Sequence, residues 1–311
     1  MNPVSSVVPE APCPACGAAF DRRIPYPRSG RDGLPIAFNE IALCPGCGLG
    51  MALPHHVQAE LDAFYAAGTY WSETVGGSRV QTLHERNQCR HRVALAHSFL
   101  RGAQNLRILD VGAGHGWTRD WLDALQPGTI AAFEFIEPDP ARSREIMARR
   151  RGARAVQVAS LSQARGSYDL IFLNHVLEHV ADPLACIARI VDLLTEDGIA
   201  YFEMPHADQR FKRDVFPHTW FFTLPALTQI AQRIPVKALL RETFGRLPTS
   251  STPDLLARAA FRASAALGLA RFAGVFDDRM WRYERSGDGI WLRWIIARSD
   301  GERLRRASPG E

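Results

Sequence analysis

The stretch LRILDVGAGHGWTRDWLDAL, residues 106–125, decides the fold. Its first part, LRILDV, is rich in aliphatic and β-branched side chains and predicts a strand. Glycines follow at Gly112, Gly114 and Gly116, and the remaining residues have the pattern of a helix. Glycines at a strand-to-helix turn let the backbone approach a ligand closely. The stretch therefore predicts a ligand-binding turn between a strand and a helix.

Apolar runs and amphipathic stretches alternate along the chain after this turn. The apolar runs that predict further strands lie at 129–137, 153–159, 168–174 and 198–205, with two more at 236–242 and 290–298. Helical patterns lie between most of the first runs, at 139–150 and 183–194. Alternation of this kind is typical of an α/β fold in which a parallel sheet has helices on both faces.

Composition narrows the class of protein. The 311 residues are 46% hydrophobic and 23% charged, which is ordinary for a globular chain. The net charge of +4 is too mild for a dedicated nucleic-acid binder. The N-terminus has no basic segment followed by an apolar one, and no long apolar stretch exists. We therefore expect a cytoplasmic protein without a membrane partner.

The acidic residues around the glycine turn indicate which ligand it holds. A dinucleotide fingerprint needs a third glycine where this chain has Trp117. Asp110 ends the first strand and suits a cation, while Glu137 ends the second strand at the distance of a ribose-hydroxyl acceptor. S-adenosylmethionine (SAM) has a cationic amino group and a ribose but no pyrophosphate, so the pattern favours SAM. The plain alternative is a tight turn beside a solvated glutamate.

Four ordered motifs resemble those of class I SAM-dependent methyltransferases. They are ILDVGAGHG (108–116), FIEPDP (135–140), YDLIFLNHVLEHVADP (168–183) and LTEDGIAYFEMP (194–205). The resemblance implies a Rossmann-like sheet in which the first motif contacts the methionine part of SAM. It further implies that the acid after the second strand holds the ribose and that the segment after the third strand contacts adenine.

The SAM-binding residues implied by this resemblance are Asp110, Gly112, Ala113, Gly114, Gly116, Glu137, Pro138, Ser160, Leu161 and Asn174. This chain has Ser160 and Leu161 where many relatives have an acidic residue. Backbone contacts are then expected to take over part of adenine recognition.

Two cysteine pairs stand near the N-terminus, Cys13-Pro-Ala-Cys16 and Cys44-Pro-Gly-Cys47. Two residues between cysteines let both sulfurs reach one ion, and two such pairs complete a tetrahedron of thiolates. We therefore predict one structural zinc ion with no open position for catalysis. The alternatives are incidental thiols or a redox pair.

A zinc module before a methyltransferase domain resembles the sugar C-methyltransferases that act on nucleotide-linked deoxysugars. The matching residues are the segment Tyr70–Thr74, His179 in HVLEHV and His218 in FPHTWFF. The family's His-Glu-His-Phe pattern is replaced by Phe216–Thr219, so the acid beside the histidine is missing. The long C-terminal domain of that family is absent or reduced.

Candidate catalytic residues follow from the need for a base near neutral pKa. His175 and His179 are four residues apart and would share a face if the turn after 168–174 were helical. His218 could approach the acceptor from the opposite side, and Tyr70 could close the pocket or donate a hydrogen bond. The plain alternative is that these histidines bond backbone groups.

The predicted organisation is a zinc module (1–60), a helical connector (61–104), a SAM domain (105–245), a helical insertion (246–287), and a last strand with a polar tail (288–311). The leading function is methylation of a small molecule, most simply a sugar-nucleotide or glycan precursor, with oxygen, carbon and nitrogen acceptors all open.

Two other functions compete with this one. An RNA base methyltransferase would use Arg149, Arg150 and Arg151 as phosphate contacts, although such a cluster is more often a solvated helix face. The same solvated reading applies to Arg86, Arg90 and Arg92. A SAM-binding scaffold without catalysis is the third.

Overall fold

The computed structural model describes residues 12–28, 34–68, 78–100, 102–149, 154–285 and 287–299. The Tyr70–Thr74 segment, Arg150, Arg151 and the predicted tail after residue 299 lie outside these ranges. No described helix is both long and apolar enough to cross a bilayer.

The strands are β1 (Arg22–Pro25), β2 (Glu40–Leu43), β3 (Gly50–Leu53), β4 (Leu106–Val111), β5 (Ile130–Ile136), β6 (Ala155–Gln157), β7 (Tyr168–Asn174), β8 (Leu194–Pro205), β9 (Trp220–Phe221), β10 (Val236–Phe244) and β11 (Trp291–Arg298). The helices are α1 (Gln58–Ala66), α2 (Arg79–Ser98), α3 (Trp117–Leu125), α4 (Pro140–Ala148), α5 (Pro183–Asp192), α6 (Leu224–Arg233), α7 (Thr252–Ala266) and α8 (Ala270–Trp281).

The central sheet has the order β10-β11-β8-β7-β4-β5-β6. The five strands from β8 to β6 run parallel, while β11 pairs antiparallel with β8 and with β10. The chain moves outward from β4 through β5 to β6 and then returns to β7 on the other side of β4. Ligands bind at such a reversal point, beyond the carboxyl ends of the strands. The sheet confirms the predicted Rossmann-like class I methyltransferase fold.

Both faces of the sheet are buried, which explains the nearly continuous apolar runs in the sequence. Leu109 and Ile171 point to one core layer, and Ile108 and Leu170 point to the other. Helices are needed on both faces because each apolar layer must be covered.

A second sheet joins the N-terminal segment to the methyltransferase region. Its order is β1-β2-β3-β9, and β9 comes from far along the chain, after β8. Met51 in β3 pairs with Trp220 in β9, and the Ala52 amide donates to the Thr219 carbonyl at 2.8 Å. The hydroxyl of Thr223 donates to the carbonyl of Cys47 at 2.6 Å. The cysteine module and the methyltransferase region therefore share one sheet.

Helices α7 and α8 form a hairpin between β10 and β11, within the Ala/Leu-rich segment of the sequence. The hairpin packs on α2 through a small apolar cluster that includes Val80, Phe261 and Met280. Oδ1 of the buried Asp277 lies 2.7 Å from Nδ1 of His84, and this hydrogen bond links α8 to α2.

Arg92 contradicts the prediction of a solvated arginine face on α2. Its side chain is only 11% exposed and contacts Glu203 of β8 at 2.5 Å, and Arg293 of β11 approaches the same carboxylate at 3.5 Å. A buried charge has to be paired, because an isolated one would lose its hydration without compensation. Arg90 also has a partner, Asp278, at 2.7 Å.

Candidate active site

A cavity of about 880 Å³ opens at the carboxyl ends of β4, β5 and β7. Its wall contains parts of α1, the glycine turn, the segment after β6 and the turn after β7. The predicted site residues that line it are Gly112, Glu137, Pro138, Ser160, Leu161, His175 and His179. The cavity thus joins the predicted SAM residues to two of the candidate catalytic histidines.

Two glycines of the turn, Gly112 and Gly116, have no room for a side chain. Gly112, Gly114 and Gly116 all have positive φ angles, which non-glycine residues rarely adopt. A Cβ on Gly112 would lie 2.4 Å from a methyl group of Val176, and one on Gly116 would lie 2.7 Å from Ile146. The glycines therefore serve both the backbone turn and the close packing around it.

Glu137 is buried at the end of β5, where the sequence predicts it. One carboxylate oxygen accepts the Gly114 amide at 2.7 Å, and the other accepts the Asp139 amide at 3.0 Å. These two amides fix the orientation of the carboxylate at the end of β5. A carboxylate is the kind of acceptor that ribose hydroxyls need.

Asp110 is a buried carboxyl group behind the glycine turn. Burial raises its pKa to about 7, although Thr118 offsets part of this through a hydrogen bond. Its Oδ2 atom has no hydrogen-bond partner among the described residues, and neither does Oδ1 of Asn174 at the end of the neighbouring strand β7. Orphaned buried acceptors of this kind suit a ligand that brings donors or positive charge. These two acceptor oxygens fit the amino group of SAM, which donates hydrogen bonds.

The remaining predicted SAM residues occupy two positions. Pro138, Ser160 and Leu161 line the cavity, and the Ser160 hydroxyl contacts that of Ser162 at 2.9 Å. Ala113, with Gly114 and Gly116, belongs to the turn beside the cavity and is not part of its wall.

His179 contacts Tyr65, a residue that the sequence analysis missed. The Tyr65 hydroxyl lies 2.8 Å from Nδ1 of His179, and both side chains line the cavity. The Pro217 carbonyl accepts a hydrogen bond from the same ring, which leaves Nδ1 as the acceptor for the phenol. Burial lowers the pKa of His179 to about 4, so the imidazole is neutral at pH 7. The predicted tyrosine, Tyr70, lies outside the described residues.

His218 lies beside His179, and its approach to the acceptor from the opposite side stays a prediction. The two rings are 4.9 Å apart at their centroids and meet edge to face. Its Nδ1 lies 3.2 Å from Oδ2 of Asp208, a buried carboxylate. Burial alone would raise the pKa of Asp208, but His218 and Lys212 hold it well below its usual range. The sequence has Pro217 where the sugar C-methyltransferase pattern has an acid beside the histidine. In the fold, Asp208 provides an acidic neighbour for His218 instead.

His175 and His179 do not share one helical face, in contrast to the prediction. His175 has a positive φ angle, and only a short 3-10 turn, Leu177–His179, follows it. Its Nδ1 lies 3.2 Å from Glu178, and its Nε2 lies 3.7 Å from Glu203. Burial alone would lower the pKa of His175, but these two acids raise it. The ring is therefore held between two carboxylates.

Glu178 connects the three histidines and is the second residue that the sequence analysis missed. It is only 1% exposed, and its Oε1 lies 3.9 Å from Nε2 of His179. Burial would raise its pKa, but His175 and the other histidines lower it, so Glu178 is a carboxylate. Ligand atoms of Glu178, His179 and His218 lie within 4.8 Å of one another, a set that could also hold a divalent ion. The signal was present in HVLEHV, where the acid stands between the histidines.

The four N-terminal cysteines come together as predicted. Their sulfurs all lie within 4.8 Å of one another. Cys13 and Cys47 are 3.6 Å apart and Cys16 and Cys44 are 3.3 Å apart, close to the roughly 3.8 Å expected around tetrahedral zinc. A hydrogen bond from Cys47 lowers the pKa of Cys13 to about 5 and raises that of Cys47. The cluster could hold zinc.

Each cysteine pair is closed by the same turn. The Gly17 amide donates to the Cys13 carbonyl at 2.8 Å, and the Gly48 amide donates to the Cys44 carbonyl at 2.9 Å. The other two cysteines, Cys89 and Cys186, are buried, as expected for small apolar side chains.

Arg149 is not available as a phosphate contact. Its guanidinium pairs with Asp120 and with Glu145, both at 2.9 Å. Arg142 contacts Glu145 as well, at 3.0 Å. These ion pairs link the end of α4 to α3. They also neutralise the positive charge of Arg149 that a contact with RNA phosphates would require.

Comparisons with known proteins agree with this geometry. Residues 83–237 match the model of a family described as "Methyltransferase domain". Over 148 residues the chain is 32% identical to a ubiquinone biosynthesis O-methyltransferase of Xanthomonas campestris pv. campestris (strain B100), covering 46% of this chain and 59% of that protein. Over 150 residues it is 26% identical to the protein of that name from Neisseria meningitidis serogroup C (strain 053442), covering 47% and 61%. The chain spans about three fifths of the length of these relatives.

A solved structure shares the fold. A chain in the complex between the Haloferax volcanii Trm112 methyltransferase activator and a methyltransferase superposes with a TM-score of 0.50 at 13% identity, covering 77% of this chain and 97% of that one. Together with the sheet order and the family match, this defines a class I SAM-dependent methyltransferase domain.

Proposed function

We propose that this protein transfers a methyl group from SAM to a hydroxyl oxygen of a small molecule bound in the cavity. The observation that carries the proposal is the contact between Tyr65 and His179, which line the same cavity as Gly112 of the glycine turn. A hydroxyl acceptor has to lose a proton, and a neutral imidazole can receive it. The matched relatives, which are O-methyltransferases, support oxygen as the acceptor atom.

The glycine turn and its acids hold the cofactor in this proposal. Asp110 receives the amino group, Glu137 receives the ribose hydroxyls, and Ser160 with Leu161 covers the adenine. Bound SAM supplies an electrophilic methyl group on a sulfonium. The protein mainly aligns the acceptor oxygen with that methyl group, because an in-line displacement depends on orientation.

His179 acts as the general base. Its Nδ1 takes the proton of the acceptor hydroxyl, in the position where the Tyr65 hydroxyl now donates to it. The imidazolium that forms is stabilised by the carboxylate of Glu178, 3.9 Å from Nε2. His175 and His218 are positioning residues, because each sets the charge or orientation of a neighbour.

The four cysteines bind one structural zinc ion in this proposal. Four thiolates leave no open coordination position, so the ion does not take part in methyl transfer. Its role is to fix β3 against β9, and with it the segment that carries His218.

A second candidate acceptor is a sugar-nucleotide or glycan precursor methylated at carbon. The observation in its favour is the cysteine module, whose strand β3 pairs with β9 shortly after His218 in the chain. A cysteine module before a methyltransferase domain resembles the sugar C-methyltransferases. The volume of the cavity, about 880 Å³, is large enough for SAM together with an acceptor.

The test uses methyl-labelled SAM with an extract of the protein's own host, with Asp110→Ala as a control that cannot hold SAM. Protein-dependent label in small molecules supports the proposal, and the chemical shift of the labelled methyl carbon separates an O-methyl from a C-methyl product. A C-methyl product would favour the second candidate. Label in RNA would overturn both. SAM binding without any turnover would favour a scaffold.

A further inference from the structure

The hairpin of α7 and α8 exposes apolar side chains that the fold does not need. Their exposed fractions range from 46% to 74%, and the residues are Leu255, Leu256, Leu267, Leu269, Phe272 and Val275. The opposite side of the hairpin already covers α2 through buried residues such as Phe261 and Met280. A helix on a protein surface normally has one apolar face, turned inward. This hairpin has a second apolar face turned outward.

Three of the six outward residues, Leu267, Leu269 and Phe272, lie at the tip of the hairpin. Leu267 and Leu269 flank Gly268, whose positive φ angle makes the turn between the two helices. Leu267 is the most exposed of the large hydrophobic residues in the described chain, at 74%. Phe272 follows one turn later, on the first turn of α8. An exposed apolar patch of this kind marks an interaction surface.

The charges on the hairpin are divided between its two sides. Its acidic residues all have partners toward the fold: Asp254 binds Arg246, Asp277 binds His84, and Asp278 binds Arg90. The exposed cations of the same segment are Arg262, Arg271, Arg279 and Arg282. No acidic residue within ion-pair distance of these four is found in the described part of the chain. The outer side is therefore apolar and basic.

We propose that the outer side of the α7–α8 hairpin docks on an anionic lipid surface. Leucine and phenylalanine side chains enter the boundary between headgroups and acyl chains, and arginines pair with lipid phosphates. In a dimer formed through this side, the arginines of the two copies would face one another and repel, so the charges disfavour a second copy as the partner. The association is peripheral, since neither helix can cross a bilayer.

Flotation with lipid vesicles tests the proposal on the full chain. We expect the protein to float with vesicles that contain phosphatidylglycerol and to bind vesicles of phosphatidylcholine alone at least about fivefold less, because the arginines need anionic headgroups. Raised salt should release it, since salt screens exposed charges. Leu267→Asp with Phe272→Asp, and separately Arg262→Glu with Arg271→Glu, should each lose most of the bound fraction.

The matched control is Leu125→Asp, an exposed leucine on α3. It should float like the unchanged protein, and all variants should keep their circular dichroism and their affinity for SAM. The proposal is overturned if the unchanged protein does not float, or if both double variants float as well as the control. It is also overturned if light scattering shows a dimer that the same substitutions dissolve, because a second copy is then the occupant.

Discussion

Oδ2 of Asp208 lies 3.2 Å from Nδ1 of His218, and no sequence motif predicts this contact. The same oxygen lies 2.9 Å from Nζ of Lys212, which is largely exposed. Because its pKa is held well below the usual range, Asp208 stays a carboxylate throughout the working range of pH. His218 therefore has an acidic partner despite the proline that precedes it.

Removing this partner should weaken catalysis through His218. We expect Asp208→Asn to lower kcat by about tenfold, while the affinity for SAM stays within about threefold, since Asp208 is remote from the glycine turn. Lys212→Gln is the matched control and should keep kcat near the unchanged value. Equal kcat values in both variants would show that Asp208 has no positioning role.

The base is tested at His179. His179→Ala should lower kcat/KM by about 10² to 10⁴, the usual contribution of general base catalysis. Tyr65→Phe should cost less, about tenfold, because the imidazole remains. His97→Ala is the control, since that ring contacts Gln126 at a distance from the cavity. Full turnover by His179→Ala would assign the proton to another group.

The pH dependence of SAM binding should follow Asp110. Its pKa of about 7 means that the carboxylate needed for a cation is lost as the pH falls below 7. We expect the dissociation constant for SAM, measured by calorimetry, to rise between pH 8 and pH 6. The neutral base His179, with a pKa of about 4, should add no loss in this window. A flat profile would mean that Asp110 does not pair with the amino group.

Burial of Asp110 should make the folded protein less stable at high pH than at low pH. A carboxyl group whose pKa is raised by folding binds its proton more tightly in the folded state, so its stabilising contribution is lost as the pH rises through about 7. Asp110→Asn should therefore raise the free energy of unfolding by about 4 kcal/mol at pH 8, and by only about 1 to 2 kcal/mol at pH 5. Thermal melting at both pH values tests this, with Asp123→Asn as control. The gain should be accompanied by loss of SAM binding.

Zinc content and activity should fall together when the cysteine cluster is broken. Elemental analysis should find one equivalent of zinc in the unchanged protein and none in Cys47→Ser. The melting temperature of this variant should also drop, because four-thiolate sites contribute folding energy. Turnover should drop too, since the Cys47 carbonyl holds Thr223 next to β9. Cys89→Ser should keep its zinc. A zinc-free Cys47→Ser variant with unchanged turnover would separate the module from the active site.

The sequence alone determined the central sheet, the glycine turn and the pairing of cysteines. Each of these depends on local features: apolar periodicity, glycine where the backbone turns sharply, and cysteines two residues apart. Even the two late strands, β10 and β11, follow from runs such as IWLRWIIAR at 290–298. Such features can be read from the sequence because each depends only on residues that are close together in the chain.

The tertiary structure decided the partners of the candidate catalytic residues. Tyr65 meets His179 across 114 positions of sequence, and Arg92 meets Glu203 across 111. No spacing rule encodes such contacts, because they depend on how α1 and α2 pack against the carboxyl ends of the strands. The sequence predicts Arg92 to be a surface cation because its partner, Glu203, is distant in the chain. A charge can leave water only when such a partner compensates for its lost hydration.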